Sequence, residues 1–309
     1  MTTNQNHTDL LKMSSGAFVL AALASSVSGA EVSTPKKRDF KKGYMLNTFP
    51  QGKNLSMLEK FQMLKDAGFD GVEPNSHSDR KEILEARDKT GLAVASISCG
   101  THTRFFSHPA AGERQKGLDG LKQALQDAKA FGAKSVLVVV GGVDEKISYS
   151  ENYKRTQEEI RKLVPLAEEV GVVMAVENVW NNFLLSPLEA ARYVDEFKSP
   201  AVGWHFDVGN MISIGWPEQW IRILGKRIQK IHIKEFSRKK MNEEGLRKGF
   251  AVEYLEGDND WPAVMKALDE VGYKGWCIVE PACGPCKEKI SPEEFLKKVS
   301  TQLDKILAS

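Results

Sequence analysis

Four residues with metal-ligand side chains each stand where an apolar run stops: Glu177 in VVMAVENV, Asp207 in VGWHFDVGN, His232 in IQKIHIKEF and Glu280 in WCIVEP. The gaps between them are 30, 25 and 48 residues, about one strand–helix unit each, with the last enlarged by an insertion. Three carboxylates and one imidazole make an oxygen-and-nitrogen donor set that suits a divalent cation and leaves positions open for a substrate. If consecutive parallel strands bring them to one rim, Glu177 and Glu280 flank the opening from different sides. That arrangement directs proton transfer at a carbon next to a carbonyl. The cation polarises the carbonyl, one Glu removes a proton to give an enediolate, and the other returns one.

The elements that must position these residues follow from hydrophobic periodicity. GYMLNTF (43–49) precedes LSMLEKFQMLKDAG, in which Leu55, Leu58, Phe61, Met63, Leu64 and Ala67 mark one helical face. The same alternation of a short apolar run and an amphipathic segment follows seven more times, through FDGVEPN, LAVASISCG, AKSVLVVVGG, VVMAVENV, AVGWHFDVG, IQKIHIKEF and WCIVEP. The strand runs are continuously apolar, as expected of parallel strands covered on both faces. Gly68, Gly91, Gly132, Gly171 and Gly272 each close a helix just before the next strand, a position that favours a left-handed residue. Eight such units predict a (β/α)8 barrel with its active site at the carboxyl ends of the strands, the four ligand-type residues falling on strands five to eight. A doubly wound sheet would carry a Gly-rich phosphate loop after its first strand, and NTFPQGK supplies none. The stretch from Phe236 to Asp260 has no apolar pattern and is expected to cover part of the site.

Composition bounds the rest. Lys+Arg 43 against Asp+Glu 41 leaves a formal net charge of +2, which argues against a nucleic-acid partner. Residues 1–30 read as an export signal: GAFVLAALASSV is apolar but too short to span a bilayer, and Ser28 and Ala30 offer a cleavage site before Glu31. HTDLLKMSSGA resembles the start of a twin-arginine signal, with His7 and Thr8 where the two arginines would stand. Residues 31–42 then form a linker and 43–309 a single barrel domain, exported to the periplasm and, once mature, without a membrane segment; the alternative is a disordered N-terminal tail on a cytoplasmic protein. Cys99 and Cys277 fall in predicted strands as buried thiols, whereas Cys283 and Cys286 form Cys-Gly-Pro-Cys in a loop, as a structural disulfide or as free thiols, with a redox role the least favoured. Ser291-Pro292-Glu293-Glu294 caps the last predicted helix.

GFDGVEP (68–74), VENVWNNFLLSP (176–187), GWHFDVGN (203–210), KIHIKEF (230–236), GDNDWPAVMKALDEVGYKGW (257–276) and IVEP (278–281) together resemble the xylose isomerase-like TIM barrels. The resemblance is particularly to the ketose 3-epimerase branch, with tagatose and psicose 3-epimerases, L-ribulose- and L-xylulose-phosphate 3-epimerases and inosose dehydratases among the relatives. The resemblance implies a metal held by Glu177, Asp207, His232 and Glu280, usually manganese, sometimes magnesium, cobalt or zinc. It makes Glu177 and Glu280 the acid/base pair and places Arg238 against substrate oxygens. Two positions depart from the hexulose epimerases, where a His stands in place of Asn210 and a Glu in place of Phe183. Asn210 is then a candidate substrate contact, and free-hexulose activity is the less favoured variant. Glu73 ends the second predicted strand and His102 follows the third, and both are candidates for substrate contacts, with Trp180 a candidate for packing against a sugar ring. Lys234 and Glu235 follow His232 and are expected to orient it or its neighbours. The implied activity is a metal-dependent isomerase or epimerase of a keto-sugar or sugar phosphate, with a small-molecule sugar as partner and a homo-oligomer possible. The alternatives are a lyase or hydratase working through the same enediolate on a keto-sugar or inosose, and a sugar-binding barrel without turnover.

Overall fold

The computed structural model describes residues 38–50, 54–282 and 290–309. The expected export segment, most of the expected linker and the Cys283–Cys286 pair lie outside the described residues. Nine parallel strands follow one another as β1 Phe40–Met45, β2 Gly71–Glu73, β3 Ala93–Val94, β4 Ile97–Ser98, β5 Ser135–Val138, β6 Val173–Glu177, β7 Val202–Asp207, β8 Ile228–Ile233 and β9 Gly275–Val279. Their order in the sheet is β3-β2-β1-β9-β8-β7-β6-β5-β4. The predicted third strand is broken into β3 and β4, one half pairing with β2 and the other with β5. Its backbone also bonds across the gap, from Ala95 N–H to Val72 and from Ser98 N–H to Pro74, so the ring closes through the break. Eight strand–helix units and one barrel are the result.

Among the described residues eleven α-helices accompany the strands: α1 Met57–Asp66, α2 Arg80–Thr90, α3 Gly100–Thr103, α4 Ala111–Phe131, α5 Tyr149–Val170, α6 Pro187–Asp195, α7 Val208–Ile212, α8 Pro217–Leu224, α9 Arg238–Glu244, α10 Trp261–Glu270 and α11 Pro292–Ala308. Ser56, Ser148 and Ser291 start α1, α5 and α11 with reciprocal capping boxes to Glu59, Glu151 and Glu294. Gly91 and Gly171 end α2 and α5 at φ 69° and 68°, the left-handed region where a Cβ would be strained.

The strand faces turned toward the helices form the main core, with Val72, Val136, Met174, Trp204, Phe206, Ile231 and Val279 in one cluster. Inside the barrel the apolar filling is small: Met45, Ala95 and Ile278, with Trp276 packed against them. Trp276 lies so close to β2 that a Cβ on Gly71 would meet its ring at 2.5 Å. The barrel begins at Phe40 rather than Gly43, because β1 pairs with β9 from Phe40 onward. Two lysines hide that strand in the sequence. Lys41 covers the Trp276 ring, and Lys42 runs out to Ser300 and Asp304, both at 2.8 Å. The stretch after Phe236 is also more regular than its composition indicates, containing α9 and a 3-10 turn, Leu246–Phe250. Among the described residues no helix is long and apolar enough to cross a membrane.

Candidate metal centre

Period-two alternation on β7 and β8 selects the residues that point into the barrel. His205 and Asp207 share one strand face, as do Lys230, His232 and, just past β8, Lys234. Register aligns them, since Glu177 pairs with His205 and Asp207 with His232. Glu177 is the last residue of β6, Asp207 the last of β7, and Glu280 follows β9 with its N–H bonded to Ile233. One ligand atom from each of Glu177, Asp207, His232 and Glu280 lies within 4.8 Å of all the others.

His232 is the hub of that cluster and is fully buried. Its Nδ1 lies 3.1 Å from Glu177 Oε1, 3.2 Å from Glu280 Oε2 and 3.9 Å from Asp207 Oδ2. Its Nε2 faces the other way and lies 3.0 Å from Glu73 Oε1. A neutral ring with Nε2–H donating to Glu73 therefore turns its Nδ1 lone pair toward the three carboxylates, the orientation a metal-ligating histidine needs. Asp207 also divides its oxygens: Oδ1 accepts the Asn210 N–H at 2.8 Å and caps α7, which leaves Oδ2 for the centre. Asn178 braces the same strand end, accepting the Asp207 N–H at 2.9 Å and donating to the Asp207 carbonyl at 2.7 Å.

Electrostatics mark the cluster as built around positive charge. Burial would lower His232, but Glu73 and the bonds to Glu177 and Glu280 hold it well above its ordinary value. Burial raises Glu177 despite His232 and pushes Asp207 up to about 7 despite Lys234. Burial would raise Glu280 too, yet Lys234 and His232 keep it far below the usual carboxylate range. Two buried carboxylates, Glu177 and Asp207, and a partly buried third, Glu280, gathered this closely call for positive charge among them. The donor set, its convergence and the aim of Nδ1 all fit a divalent ion.

The remaining sequence candidates divide. Glu73, expected at a substrate hydroxyl, is instead fully buried beneath His232, its second oxygen taken by the Ser96 hydroxyl. The reason is geometric: β2 turns Glu73 into the barrel interior, below the rim. Arg238, expected at substrate oxygens, donates Nε to the Ile212 carbonyl and an Nη to that of Gly215, both at 2.9 Å. Those bonds tie down the loop between α7 and α8. Asn210 is buried, with its side-chain amide donating to the Asn178 carbonyl at 2.9 Å. Trp180 donates its indole N–H to the Asn210 carbonyl and packs on Phe250 at 4.7 Å. His102 is half-buried, with Nδ1 2.9 Å from the Ser76 hydroxyl, and burial, then His77 and Arg104, lower its pKa. Phe183 sits in an aromatic core against Tyr149, Tyr153 and Tyr193.

Sequence reading passed over a second polar layer below the first. His205 is fully buried, its ring 4.1 Å from that of His232, and neither of its nitrogens has a hydrogen-bond partner among the described residues. Glu73, His205 and His232 also approach ligand spacing. Lys230 shares this interior, with burial lowering it to about 8 and Glu73 opposing that shift. Glu73 thus already has cationic company, and this layer does not call for an ion. The missed signal was present: His205 and Lys230 each stand two residues before a ligand-type residue, on the same strand face.

A closed parallel barrel with a cluster of ligand-type side chains at the carboxyl ends of its strands defines a class, the TIM barrels with a candidate metal site at the rim. The sequence model of xylose isomerase-like TIM barrels matches residues 61–299, and the chain belongs to that family. It is 26% identical over 266 residues to the inosose dehydratase of Clostridium perfringens (strain 13 / Type A), spanning 75% of this chain and 86% of that enzyme. Among solved structures it resembles the E. coli 3-keto-D-glucoside 4-epimerase YcjR in its apo form, with a TM-score of 0.70 at 19% identity, covering 87% of this chain and 99% of that one. It also resembles the IOLI protein solved with a zinc atom, with a TM-score of 0.71 at 19% identity, covering 86% and 98%. The two structural likenesses establish the fold.

Proposed function

We propose that this protein is a divalent-metal-dependent lyase that dehydrates a keto-polyol, an inosose or a related keto-sugar, through an enediolate. The observation that carries the reading is the convergence of Glu177, Asp207, His232 and Glu280 within 4.8 Å at the barrel rim. The similarity to inosose dehydratases favours elimination over the epimerisation first expected from the sequence. Glu177, Asp207, Nδ1 of His232 and Glu280 would hold the cation, with Mn2+ the expected ion. When bound, it supplies an electrophile for the substrate carbonyl oxygen.

The protein's own groups do the proton work. One of Glu177 and Glu280 takes the proton from the carbon beside the carbonyl, and the C–H electron pair forms the enediolate. The carboxyl group so formed passes that proton to the β-hydroxyl, whose C–O bond breaks as the enediolate collapses, so that water leaves, an unsaturated ketone remains and the carboxylate is restored. Glu73 keeps His232 oriented throughout, and Asn178 keeps Asp207 in place. Export of the chain by residues 1–30 would keep it from sugar phosphates, which favours an unphosphorylated substrate.

Epimerisation is the second reading, favoured by the two carboxylates on β6 and after β9, which reach His232 Nδ1 from different strands. The test is incubation in D2O with Mn2+ and a panel of inososes and free and phosphorylated keto-sugars. An ultraviolet-absorbing unsaturated product supports the lyase. Deuterium in recovered sugar without elimination would move the assignment to an epimerase, and no reaction or exchange with any of the panel would sink both.

A further inference from the structure

Lys234 occupies the ligand layer itself. It follows β8 on the strand face of His232, is 8% exposed, and has the Phe250 ring 5.0 Å from its ammonium. Nζ lies 2.6 Å from Glu280 Oε1 and 3.4 Å from Asp207 Oδ2. Glu280 is therefore shared, with Oε1 toward Lys234 and Oε2 toward His232. The other oxygen of Asp207, Oδ2, also faces Lys234, while Oδ1 caps α7. Charge counting gives the consequence. Three carboxylates balance a dication and Lys234 together, whereas the dication alone leaves one negative charge over in a buried site.

We propose that Lys234 is a positioning residue that holds Glu280 by one oxygen and sets the affinity of the centre for its dication below what the four ligands alone would give. This rests on the metal-centre reading above. A lysine at this distance repels an incoming dication and competes with it for Glu280 and Asp207. In return it leaves the loaded centre without net charge and keeps Glu280 tethered for proton transfer. An uncharged ketone can then enter at little electrostatic cost, and the negative charge that develops on its oxygen is attracted by both cations.

The test uses Mn2+ alone, titrated into the full-length protein and into Lys234→Met and Lys234→Gln, with free ion read by electron paramagnetic resonance. Both variants remove a unit positive charge from beside the ion and are expected to bind Mn2+ about tenfold tighter or better. A merely structural role predicts the opposite sign, since damage to the rim weakens binding. The glutamine amide can still donate to Glu280, so a gain shared by both variants assigns the effect to charge. Variants that fold poorly without metal are prepared loaded and the ion is removed by graded chelator competition. Their melting temperature should then rise more on Mn2+ saturation than that of the unaltered chain. Unchanged or weaker Mn2+ binding in both variants overturns the proposal and leaves the metal centre standing. Failure of the unaltered chain to bind Mn2+, Zn2+, Co2+ or Mg2+ would overturn both.

Discussion

At the residue scale, His232 is fixed from both sides of its ring, by Glu73 at Nε2 and by the carboxylate cluster at Nδ1. Glu73→Gln keeps an oxygen acceptor for the Nε2–H and should bind Mn2+ close to normally. Glu73→Leu leaves that N–H unpaired in the barrel interior. It should cost about 1–3 kcal/mol of stability and weaken Mn2+ binding by about 10–100-fold, measured by thermal melts and calorimetry. Acidity at the centre predicts a pH dependence. Without metal, His232 is held well above its ordinary value by its carboxylate neighbours against burial, and burial pushes Asp207 up to about 7. Both protons must leave before a cation binds. Apparent affinity should therefore rise with pH through the neutral range, and binding near about pH 6.5 should release more than one proton. Calorimetry in two buffers of different ionisation enthalpy measures that release; no release would contradict the assigned ligands.

At the scale of elements, Glu235 does for the loop after β8 what Glu73 does for His232. Its two oxygens accept the N–H groups of Phe236, Leu255 and Asn259 and the Trp261 indole N–H, at 2.9 to 3.4 Å. That carboxylate closes the long excursion from Phe236 to the start of α10, and the excursion brings Phe250 over Lys234. Glu235→Leu strands several buried donors at once and should lower stability by about 3 kcal/mol or more. The same variant should expose Arg238 to Lys248 to trypsin while the rest of the barrel resists, as limited proteolysis with mass spectrometry would read. Sequence reading saw only a segment without apolar periodicity there. A loop ordered by one buried carboxylate carries no periodic signal, because its organising contacts run to a single side chain.

At the scale of the whole molecule, the barrel is stapled at two levels, by Trp276 in the interior and by the charged cluster at the rim. Gly71→Ala would drive a methyl to 2.5 Å from the Trp276 ring and 2.8 Å from the Ala93 carbonyl. It should destabilise the fold by about 1–3 kcal/mol, read from denaturant unfolding. Ion binding should act on the same equilibrium from the rim. Mn2+ at a hundredfold excess over its Kd should add about 2.7 kcal/mol, and chelation should remove it. Amino-acid order alone determined the eight units, their continuously apolar strands and the strand-end stations of Glu177, Asp207, His232 and Glu280, because periodicity and side-chain type are local properties. Family resemblance added roles for Arg238 and Asn210, whose side chains also donate to backbone carbonyls in the fold. Only the closed barrel decided which polar residues face one another. Glu73 meets His232 from β2, and Lys234 meets Glu280 across β8 and β9, through contacts between residues 159 and 46 positions apart. No local pattern encodes such distances; they follow from the curvature that closes a twisted parallel sheet on itself.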